Sequence, residues 1–318
     1  MTILLTGAAG FIGSHLTEYL LSAGHTIIGL DNFDNQYDPG RKQVNVRLFK
    51  QHTNFTLIEG DIRDQTLLAG ILKRYACDTV VHLAARTGVR DSVHEPAVCI
   101  DVNVNGTLSL LEAMKKVGLK RLVMASSSSV YGNSSVVPFQ ENDDANRPLS
   151  PYAMSKRSAE LLAHTYHHLY GFNVACLRFF TVYGPRQRPE MAISRFTAKL
   201  YGDQPITLYG DGTTSRNYTY IYDTVLGITR AIEHLNGFEL LNIGGSAPIS
   251  LRELVVLLEK AVGRKAVIDW QPNQPGDVYL TSADLTYAKT KIGYFPSVQI
   301  EEGINRFVRW YYQSVVCL

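Results

Sequence analysis

Two side chains of the sequence are spaced for proton transfer. Tyr152 and Lys156 are four residues apart, so they share one face of the helix predicted over residues 152–170. A free phenol titrates at about 10 and is a weak base at neutral pH, but a neighbouring ammonium favours the phenolate and lowers its pKa. The serine run 126–129 ends a predicted strand and offers hydroxyl groups to the same reacting oxygen. These residues predict a site that takes a proton from a hydroxyl group and returns it, with a surface helix face and a flexible serine turn as the alternatives.

A glycine-rich turn predicts a binding site for a dinucleotide. Gly7, Gly10 and Gly13 stand between a predicted strand and a predicted helix. In that context the first glycine permits a tight turn, the second lets the backbone approach a pyrophosphate, and the third packs the helix against the strand. The N-terminus of the helix then offers unpaired N–H groups and a partial positive charge to the phosphates.

Two acidic residues indicate which dinucleotide binds. Asp31 ends the second predicted strand, where its carboxylate can accept hydrogen bonds from both ribose hydroxyls of NAD and repels the 2′-phosphate of NADP. Asp61 follows the third predicted strand and is placed to meet the adenine. A strand-end cap at Asp31 and a simple turn at Asp61 are the alternatives. We therefore expect NAD as the cofactor, and its positive nicotinamide ring would further favour the phenolate of Tyr152.

The elements that must position these residues alternate in type along the first half of the chain. Short apolar runs predict buried strands, and longer segments with helical spacing predict helices between them. Such repetition implies a parallel sheet with helices on both faces. We predict an α/β fold: a Rossmann-type doubly wound parallel sheet in an NAD-binding domain over residues 1–180, and a smaller mixed α/β substrate-binding C-terminal domain over residues 181–318, with the chain crossing between them more than once. The predicted strands are 3–6, 26–30, 55–59, 79–83, 121–125 and 173–179, and the predicted helices are 12–23, 66–75, 97–117, 152–170 and 251–262.

Composition excludes several classes of protein. The 318 residues include 31 Lys and Arg against 29 Asp and Glu, a formal charge of +2 without a basic block, which argues against a nucleic-acid reader. The four cysteines form no C-x-x-C pair, so we expect no bound metal and no disulfide framework. No stretch reaches the ~18 apolar residues that a membrane helix needs, and the N-terminus does not resemble a secretion signal. We expect a cytoplasmic protein with no membrane partner.

Taken together, the motifs resemble those of the extended short-chain dehydrogenase/reductase superfamily over nearly the whole chain. The resemblance rests on residues 6–15, 82–85, 126–132, 152–156, 210–212 and 216–221. It implies that Tyr152 is the base and acid, that Lys156 holds the nicotinamide ribose and tunes the pKa, and that Ser127 relays the proton. It also implies further cofactor contacts, from Phe11, Ile12, Asn32, Ile62, Leu83, Ala84, Ala85 and Asn103.

The two residues after the relay serine separate the nucleotide-sugar reactions of this superfamily. Sugar-nucleotide 4,6-dehydratases carry Asp-Glu after the catalytic hydroxyl, and UDP-glucuronate decarboxylases carry Glu at the second position. This sequence has Ser128 and Ser129 there. Without a carboxylic acid to protonate a leaving hydroxyl or a ring carbon, elimination and decarboxylation are disfavoured, so the resemblance implies epimerisation.

A threonine further along favours an acidic sugar. UDP-galactose 4-epimerases place Asn at the position of Thr181, whereas this Thr and the segment 185–192 resemble UDP-glucuronate 4-epimerases. A 6-carboxylate calls for hydroxyl donors and a cation, which Ser128, Thr181 and Arg188 could supply. A pair with Glu190 or a phosphate contact is the alternative for Arg188. The resemblance assigns further UDP-sugar contacts to Arg90, Ser129, Thr207, Tyr209, Arg216 and Asp277.

The sequence therefore predicts an NAD-dependent C4 epimerase of UDP-sugars. The favoured reaction converts UDP-glucuronate to UDP-galacturonate through a transient 4-keto sugar. A UDP-glucose 4-epimerase, a UDP-glucuronate decarboxylase and a non-catalytic NAD-binding regulator are the alternatives. We also expect a homodimer, formed through the helices predicted over residues 97–117 and 152–170.

Overall fold

The computed structural model describes residues 1–134, 136–272 and 279–316 of the chain. Strands and helices alternate through its first half, as the hydrophobic pattern predicts. The strands are β1 (Thr2–Thr6), β2 (Thr26–Asp31), β3 (Phe55–Glu59), β4 (Thr79–His82), β5 (Arg121–Ser127), β6 (Asn173–Phe179), β7 (Thr181–Tyr183), β8 (Ile206–Tyr209), β9 (Ser215–Tyr220), β10 (Phe238–Ile243), β11 (Pro248–Ser250) and β12 (Ile268–Gln271). The helices are α1 (Phe11–Ser22), α2 (Pro39–Arg47), α3 (Gln65–Arg74), α4 (Val89–His94), α5 (Pro96–Ile100), α6 (Gly106–Val117), α7 (Pro151–Tyr170), α8 (Ala192–Tyr201), α9 (Ile221–Glu233), α10 (Leu251–Val262), α11 (Thr286–Ile292) and α12 (Ile300–Tyr311).

Seven parallel strands form the main sheet in the order β10-β6-β5-β4-β1-β2-β3. Successive β1 residues are buried on opposite faces: Ile3 and Leu5 join the apolar cluster with α1 and α9, and Leu4 joins the one with α3, α6 and α7. Burial on both faces explains why these strands are short, unbroken apolar runs. The predicted Rossmann-type sheet is confirmed. Its strand order reverses between β1 and β4, where a crevice at the carboxyl ends of the strands binds ligands in such folds.

The C-terminal part is smaller and mixed. Strands β7, β9 and β11 form one sheet with both parallel and antiparallel pairs, and β8 pairs in parallel with β12. The chain then returns to the main sheet, because α9 packs beside α1 and β10 pairs with β6. The division at residue 180 stays a prediction, and residues 221–243 lie with the first segment.

The helix predicted over residues 97–117 contains a wide π-helical turn. Helix α5, the turn at Asp101–Asn105 and α6 follow one another without a break, so the whole predicted segment is helical. The side chain of Asn103 bonds to the backbone of Arg86, and the hydroxyl of Thr107 donates to the Asn103 carbonyl at 2.6 Å. These contacts hold the wide turn, which hydrophobic spacing does not reveal.

Helix α7 contains Tyr152 and Lys156, and its start is marked by a capping serine and a proline. The hydroxyl of Ser150 accepts a hydrogen bond from the N–H of Ala153 at 3.1 Å, and Pro151 occupies the first helical position. The helix ends at Gly171, whose φ of +67° is left-handed. Tyr152 is therefore fixed in the first turn of a helix that packs against β5.

Candidate active site

A cleft of about 470 Å³ opens at the carboxyl ends of the central parallel strands. Both parts of the chain line it, because residues 179–182, Arg216 and Thr281 face the glycine turn and the end of β5. The predicted site residues among its lining are Gly7, Gly10, Phe11, Ile12, Gly13, Asp31, Asn32, Ile62, Leu83, Ala84, Ala85, Ser127, Ser128, Ser129, Tyr152, Lys156, Thr181, Arg188 and Arg216.

The glycine turn is shaped by contacts that exclude side chains. Gly7 has a φ of +73°, and its N–H donates to the carbonyl of Leu30 at 2.8 Å. A β-carbon there would lie 2.8 Å from the backbone nitrogen of Ala84. A β-carbon on Gly13 would lie 2.0 Å from the carbonyl oxygen of Gly7, so only glycine lets α1 begin this close to the turn. The backbone at the start of α1 is therefore open to a phosphate.

Asp31 is held in place at the end of β2. Its carboxylate accepts hydrogen bonds from the N–H groups of Ala9 at 3.1 Å and Phe33 at 2.9 Å. The ammonium of Lys42 lies 3.5 Å from the same carboxylate. Asp31 is 6% exposed and lines the cleft, so a carboxylate of fixed orientation faces the expected ribose.

Asp61 is engaged by its neighbours. Its carboxylate accepts from the side chain of Arg63 at 2.8 and 2.9 Å and from the amide of Asn32 at 3.1 Å. The hydrogen bonds from Arg63, the largest influence, lower the pKa of Asp61 to about 2. Asn32, which donates to this carboxylate, and Ile62, the next residue in the chain, line the cleft.

Asn103 shapes the wall of the cleft from behind. Its amide accepts from the N–H of Arg86 at 2.8 Å and donates to the carbonyl of that residue at 2.9 Å. It also donates to the hydroxyl of Ser155 at 2.9 Å, and it is 2% exposed. The structure therefore places Asn103 where it fixes the segment after β4 against α7.

Arg86 and Gln36 are functional candidates that the sequence analysis missed. The guanidinium of Arg86 pairs with Asp34 and, at 2.7 Å, with Glu95. The side chain of Gln36 bonds to the backbone of Thr87. These contacts join residues 34–36 to residues 86–87, two segments of the cleft lining. A charged residue four positions after the end of β4, at the ligand-binding edge, was the available signal for Arg86.

The predicted catalytic residues are brought together. The hydroxyl of Tyr152 is hydrogen-bonded to Ser127, and Ser129 donates to the Ser127 hydroxyl at 2.9 Å. The ammonium of Lys156 donates to the carbonyl of Ala125 at 3.0 Å and lies 6.0 Å from the centre of the Tyr152 ring. The serine hydroxyl groups therefore lie beside the phenol, and the ammonium lies on the same side of the cleft within 6.0 Å of its ring centre.

The expectation that Lys156 by itself lowers the pKa of Tyr152 is not met. Burial raises the pKa of Tyr152 above its usual value, and this outweighs the opposing effects of the hydrogen bond with Ser127 and the charge of Arg188. Burial also lowers the pKa of Lys156 to about 8. Residue spacing does not report how deeply a pair is buried, and here desolvation dominates both groups.

Replacing Lys156 with Met is expected to change how stability depends on pH. The pKa of Lys156 is about 8 in the folded chain and is normally 10.5, so between these values the unfolded chain binds more protons. Stability of the wild type therefore rises with pH in that window, while below pH 8 the full burial penalty remains. Urea unfolding of cofactor-free protein should show the wild type gaining roughly 3 kcal/mol relative to the Met variant across the window. A difference that does not vary with pH would contradict this burial effect.

Arg188 lines the cleft and also forms the ion pair named as its alternative role, and its contact with a substrate carboxylate stays a prediction. It lines the cleft, and its charge acts on Tyr152, which places it near the predicted reaction centre. Its guanidinium also pairs with Glu190 at 2.7 Å. Ser128 and Thr181 line the same cleft. The two hydroxyl groups and the cation required by the carboxylate hypothesis therefore share one cavity.

The segment that carries Arg188 is tied to the helix behind the glycine turn. The imidazole of His15 donates to the carbonyl of Pro185 at 2.9 Å, and burial lowers the pKa of His15 to about 3, so the ring is neutral. Arg186, with a φ of +64°, pairs with Glu18. The substrate side and the cofactor side of the cleft are thereby connected through α1.

The other predicted substrate contacts lie at different depths. Arg216 lines the cleft and donates to the carbonyl of Ser215 at 3.0 Å. The guanidinium of Arg90 stacks over the ring of Tyr209 at 5.3 Å, and the hydroxyl of Thr207 donates to Asp269 at 3.3 Å. Arg90, Tyr209 and Thr207 therefore lie around β8 and outside the lining of the cleft. Asp277 lies outside the described residues. The role of each residue in binding stays a prediction.

The fold and the site define a member of the extended short-chain dehydrogenase/reductase superfamily. The chain belongs to the GDP-mannose 4,6 dehydratase family, whose model matches residues 4–307. Across the described residues, none of the helices combines the length and apolar character needed to cross a membrane. Those residues also contain no cluster of three or more His, Cys, Asp or Glu placed to hold a metal ion.

Individual relatives match over nearly their whole length. The chain is 43% identical to UDP-glucuronate 4-epimerase of Thermodesulfobacterium geofontis over 98% of this chain and 96% of that protein. It is similar to UDP-glucuronic acid 4-epimerase from Bacillus cereus, crystallised with UDP-glucuronic acid and NAD, with a TM-score of 0.93 and 37% identity over 98% of this chain and 99% of the other. UDP-glucose 4-epimerase from Thermotoga maritima, solved with UDP-glucose, matches with a TM-score of 0.91 and 32% identity over 99% of this chain and 100% of the other.

Proposed function

We propose that the chain catalyses the NAD-dependent C4 epimerisation of UDP-glucuronate to UDP-galacturonate. The observation that carries the proposal is the cluster of Ser127, Tyr152 and Lys156 in a cleft that also contains Arg188. Hydroxyl groups occupy the two positions after Ser127, where an acid would be needed for elimination. The epimerases reported above share this fold at 32–43% identity.

The cleft fits NAD. At Gly7 and Gly13 a β-carbon would collide with backbone atoms, so glycine is needed for the tight turn before α1, and both glycines line the cleft. Gly10 and Ile12 would hold the diphosphate, and Asp31 the adenosine ribose. When bound, NAD⁺ supplies the acceptor for the hydride of sugar C4 and gives the hydride back.

The protein's own groups move the proton. Tyr152 takes the proton of the 4-hydroxyl, with Ser127 hydrogen-bonded to the same phenol as relay. Lys156, with its ammonium 6.0 Å from the ring centre, supplies positive charge beside it. The 4-keto sugar then turns its other face to the site, and Tyr152 returns the proton to the C4 oxygen.

The carboxylate contacts protect the keto sugar. A 4-keto uronic acid is a β-keto acid and loses carbon dioxide when its C5–carboxyl bond stands perpendicular to the carbonyl plane. Ser128, Thr181 and Arg188 would hold the carboxylate away from that angle. This is control of orientation, and it needs no further acid or base.

Incubation with UDP-glucuronate, UDP-glucose and UDP-xylose in separate reactions tests the proposal, with products identified by NMR. We expect UDP-galacturonate from the first substrate at the highest kcat/KM. Faster conversion of UDP-glucose would instead identify a UDP-glucose 4-epimerase, and a pentose product from UDP-glucuronate would identify a decarboxylase. Bound NAD without turnover of any UDP-sugar would identify a non-catalytic regulator.

Replacing Arg188 with Ala is expected to raise KM for UDP-glucuronate by about 10- to 100-fold, because a charge-assisted hydrogen bond to the carboxylate is lost. KM for UDP-glucose, which lacks the carboxylate, should change much less. Steady-state kinetics on both substrates measure the ratio. Arg188→Lys is the matched control, since it keeps the charge without the planar fork and should give an intermediate effect. Equal losses on both substrates would remove the carboxylate role.

We also propose that the protein forms a homodimer in the cytoplasm. Leu108 of α6 and the residues Leu161 and Leu169 of α7 are exposed apolar side chains, 39%, 52% and 59% exposed. Pairing these helices between two copies would bury them. Sedimentation of the full-length protein should give twice the chain mass, and Leu161→Glu should shift it to a single chain.

A further inference from the structure

A lysine that the sequence analysis did not single out faces the carboxylate expected to bind ribose. The Nζ atom of Lys42 lies 3.5 Å from Oδ1 of Asp31. The two side chains are 10% and 4% exposed, and both line the cleft. An ammonium and a carboxylate therefore occupy the same edge of the site, and the pair carries no net charge.

Lys42 is anchored, so its ammonium stays at this edge. It belongs to α2, whose start is capped by the side chain of Asp38, which accepts from the N–H of Gly40 at 2.9 Å. Asn45, one turn along, donates to the carbonyl of Ala9 at 3.0 Å and so fixes α2 to the glycine turn. The Nζ atom of Lys42 also lies 5.4 Å from the centre of the Tyr37 ring.

We propose that the Asp31–Lys42 pair, and not Asp31 alone, sets the choice between NAD and NADP. In the intact pair the carboxylate of Asp31 repels a 2′-phosphate. Its negative charge also balances the positive charge of Lys42, which would otherwise attract the phosphate. Without the carboxylate, the anchored ammonium would face the 2′ position and bind a phosphate there. This inference rests on the proposed function, since it assumes that the dinucleotide binds with its adenosine ribose at Asp31.

The other ionisable groups near the Asp31–Lys42 pair do not change between the variants used to test the proposal. Tyr37 is uncharged, because burial and the nearby Asp31 raise its pKa well above the usual value. Arg188 and Glu190, which both act on Tyr37, form an ion pair with each other. Arg41 acts on the same phenol and is unchanged in every variant used below. The variable charges in the experiment are therefore those of Asp31 and Lys42.

The test compares four full-length proteins: wild type, Asp31→Asn, Lys42→Met and the double variant. Each is incubated with an equimolar mixture of NAD⁺ and NADP⁺ and desalted, and the retained dinucleotides are released by denaturation and quantified by mass spectrometry. We expect Asp31→Asn to retain NADP over NAD in a ratio about 10- to 100-fold higher than the double variant does. The two proteins differ only in the ammonium, so the comparison isolates Lys42.

The outcomes separate this inference from the proposed function. Equal NADP-to-NAD ratios in Asp31→Asn and the double variant would overturn the role of Lys42 and leave the epimerase proposal intact. A wild type that retains neither dinucleotide would overturn both. Circular dichroism checks folding, and Asp31→Ser provides a second background in which the same effect of Lys42→Met is expected if the Asn variant does not fold.

Discussion

Replacing Tyr152 with Phe is expected to lower kcat for epimerisation by about 10²- to 10⁴-fold, the usual contribution of a general acid–base group. The change removes one oxygen atom and leaves the ring in place. That oxygen faces the cleft beside Ser127, where it is placed to exchange a proton with the sugar. The rate of product formation from UDP-glucuronate, followed by NMR, measures the loss.

The control for this variant lies on the same helix. Tyr166 of α7 bonds through its hydroxyl to Glu112, on the side of the helix away from the cleft, and Tyr166→Phe should keep nearly wild-type kcat. Both variants should retain the same amount of NAD per chain, because the phenol acts on the sugar. A Tyr152→Phe protein that turns over at the wild-type rate would contradict the assignment of the base.

Replacing Arg178 with Met is expected to lower the free energy of unfolding by about 3–5 kcal/mol, because the buried carboxylate of Glu160 loses the partner that binds both of its oxygens. Arg178 is 1% exposed and donates to both carboxylate oxygens of Glu160 at 2.9 Å. Burial alone would raise the pKa of Glu160, but Arg178, together with Ser126 and Arg157, holds it below its usual value. Urea unfolding at neutral pH measures the change.

Two comparisons show whether Arg178→Met loses stability because Glu160 keeps a buried charge or because packing is lost. The double variant Arg178→Met with Glu160→Leu should recover much of the stability, because no buried charge remains. Arg306→Met breaks an exposed pair with Glu302, in which the side chains are 50% and 55% exposed, and should cost less than about 1 kcal/mol. If Arg178→Met cost no more than Arg306→Met, the buried pair would not be what fastens α7 to the sheet.

The main sheet and the catalytic helix could be predicted because their signals are local. The strand at residues 55–59 and the helix at 251–262 have the predicted bounds, since apolar spacing and caps such as Ser250 lie within the elements themselves. The spacing of Tyr152 and Lys156 likewise depends only on one helix. These features need no knowledge of what the elements pack against.

The features that were missed depend on residues far apart in the chain. The turn at Asp101–Asn105 is held by contacts with Arg86, and Arg86 itself pairs with Asp34. The contact between Lys42 and Asp31 could not be predicted, because it forms only when α2 packs beside the end of β2. The pKa values of Tyr152 and Lys156 are set by burial, which is a property of the assembled fold.

The raised pKa of Tyr152 has a consequence for molecules that have lost their dinucleotide. Burial keeps this phenol protonated, and the positive ring that favours release of its proton arrives only with the oxidised cofactor. An empty molecule is therefore idle: it can hold a sugar nucleotide without stripping a proton from it. Binding of the dinucleotide and the ability of Tyr152 to accept a proton are thus linked. The fraction of active molecules in a preparation should equal the fraction that contains dinucleotide.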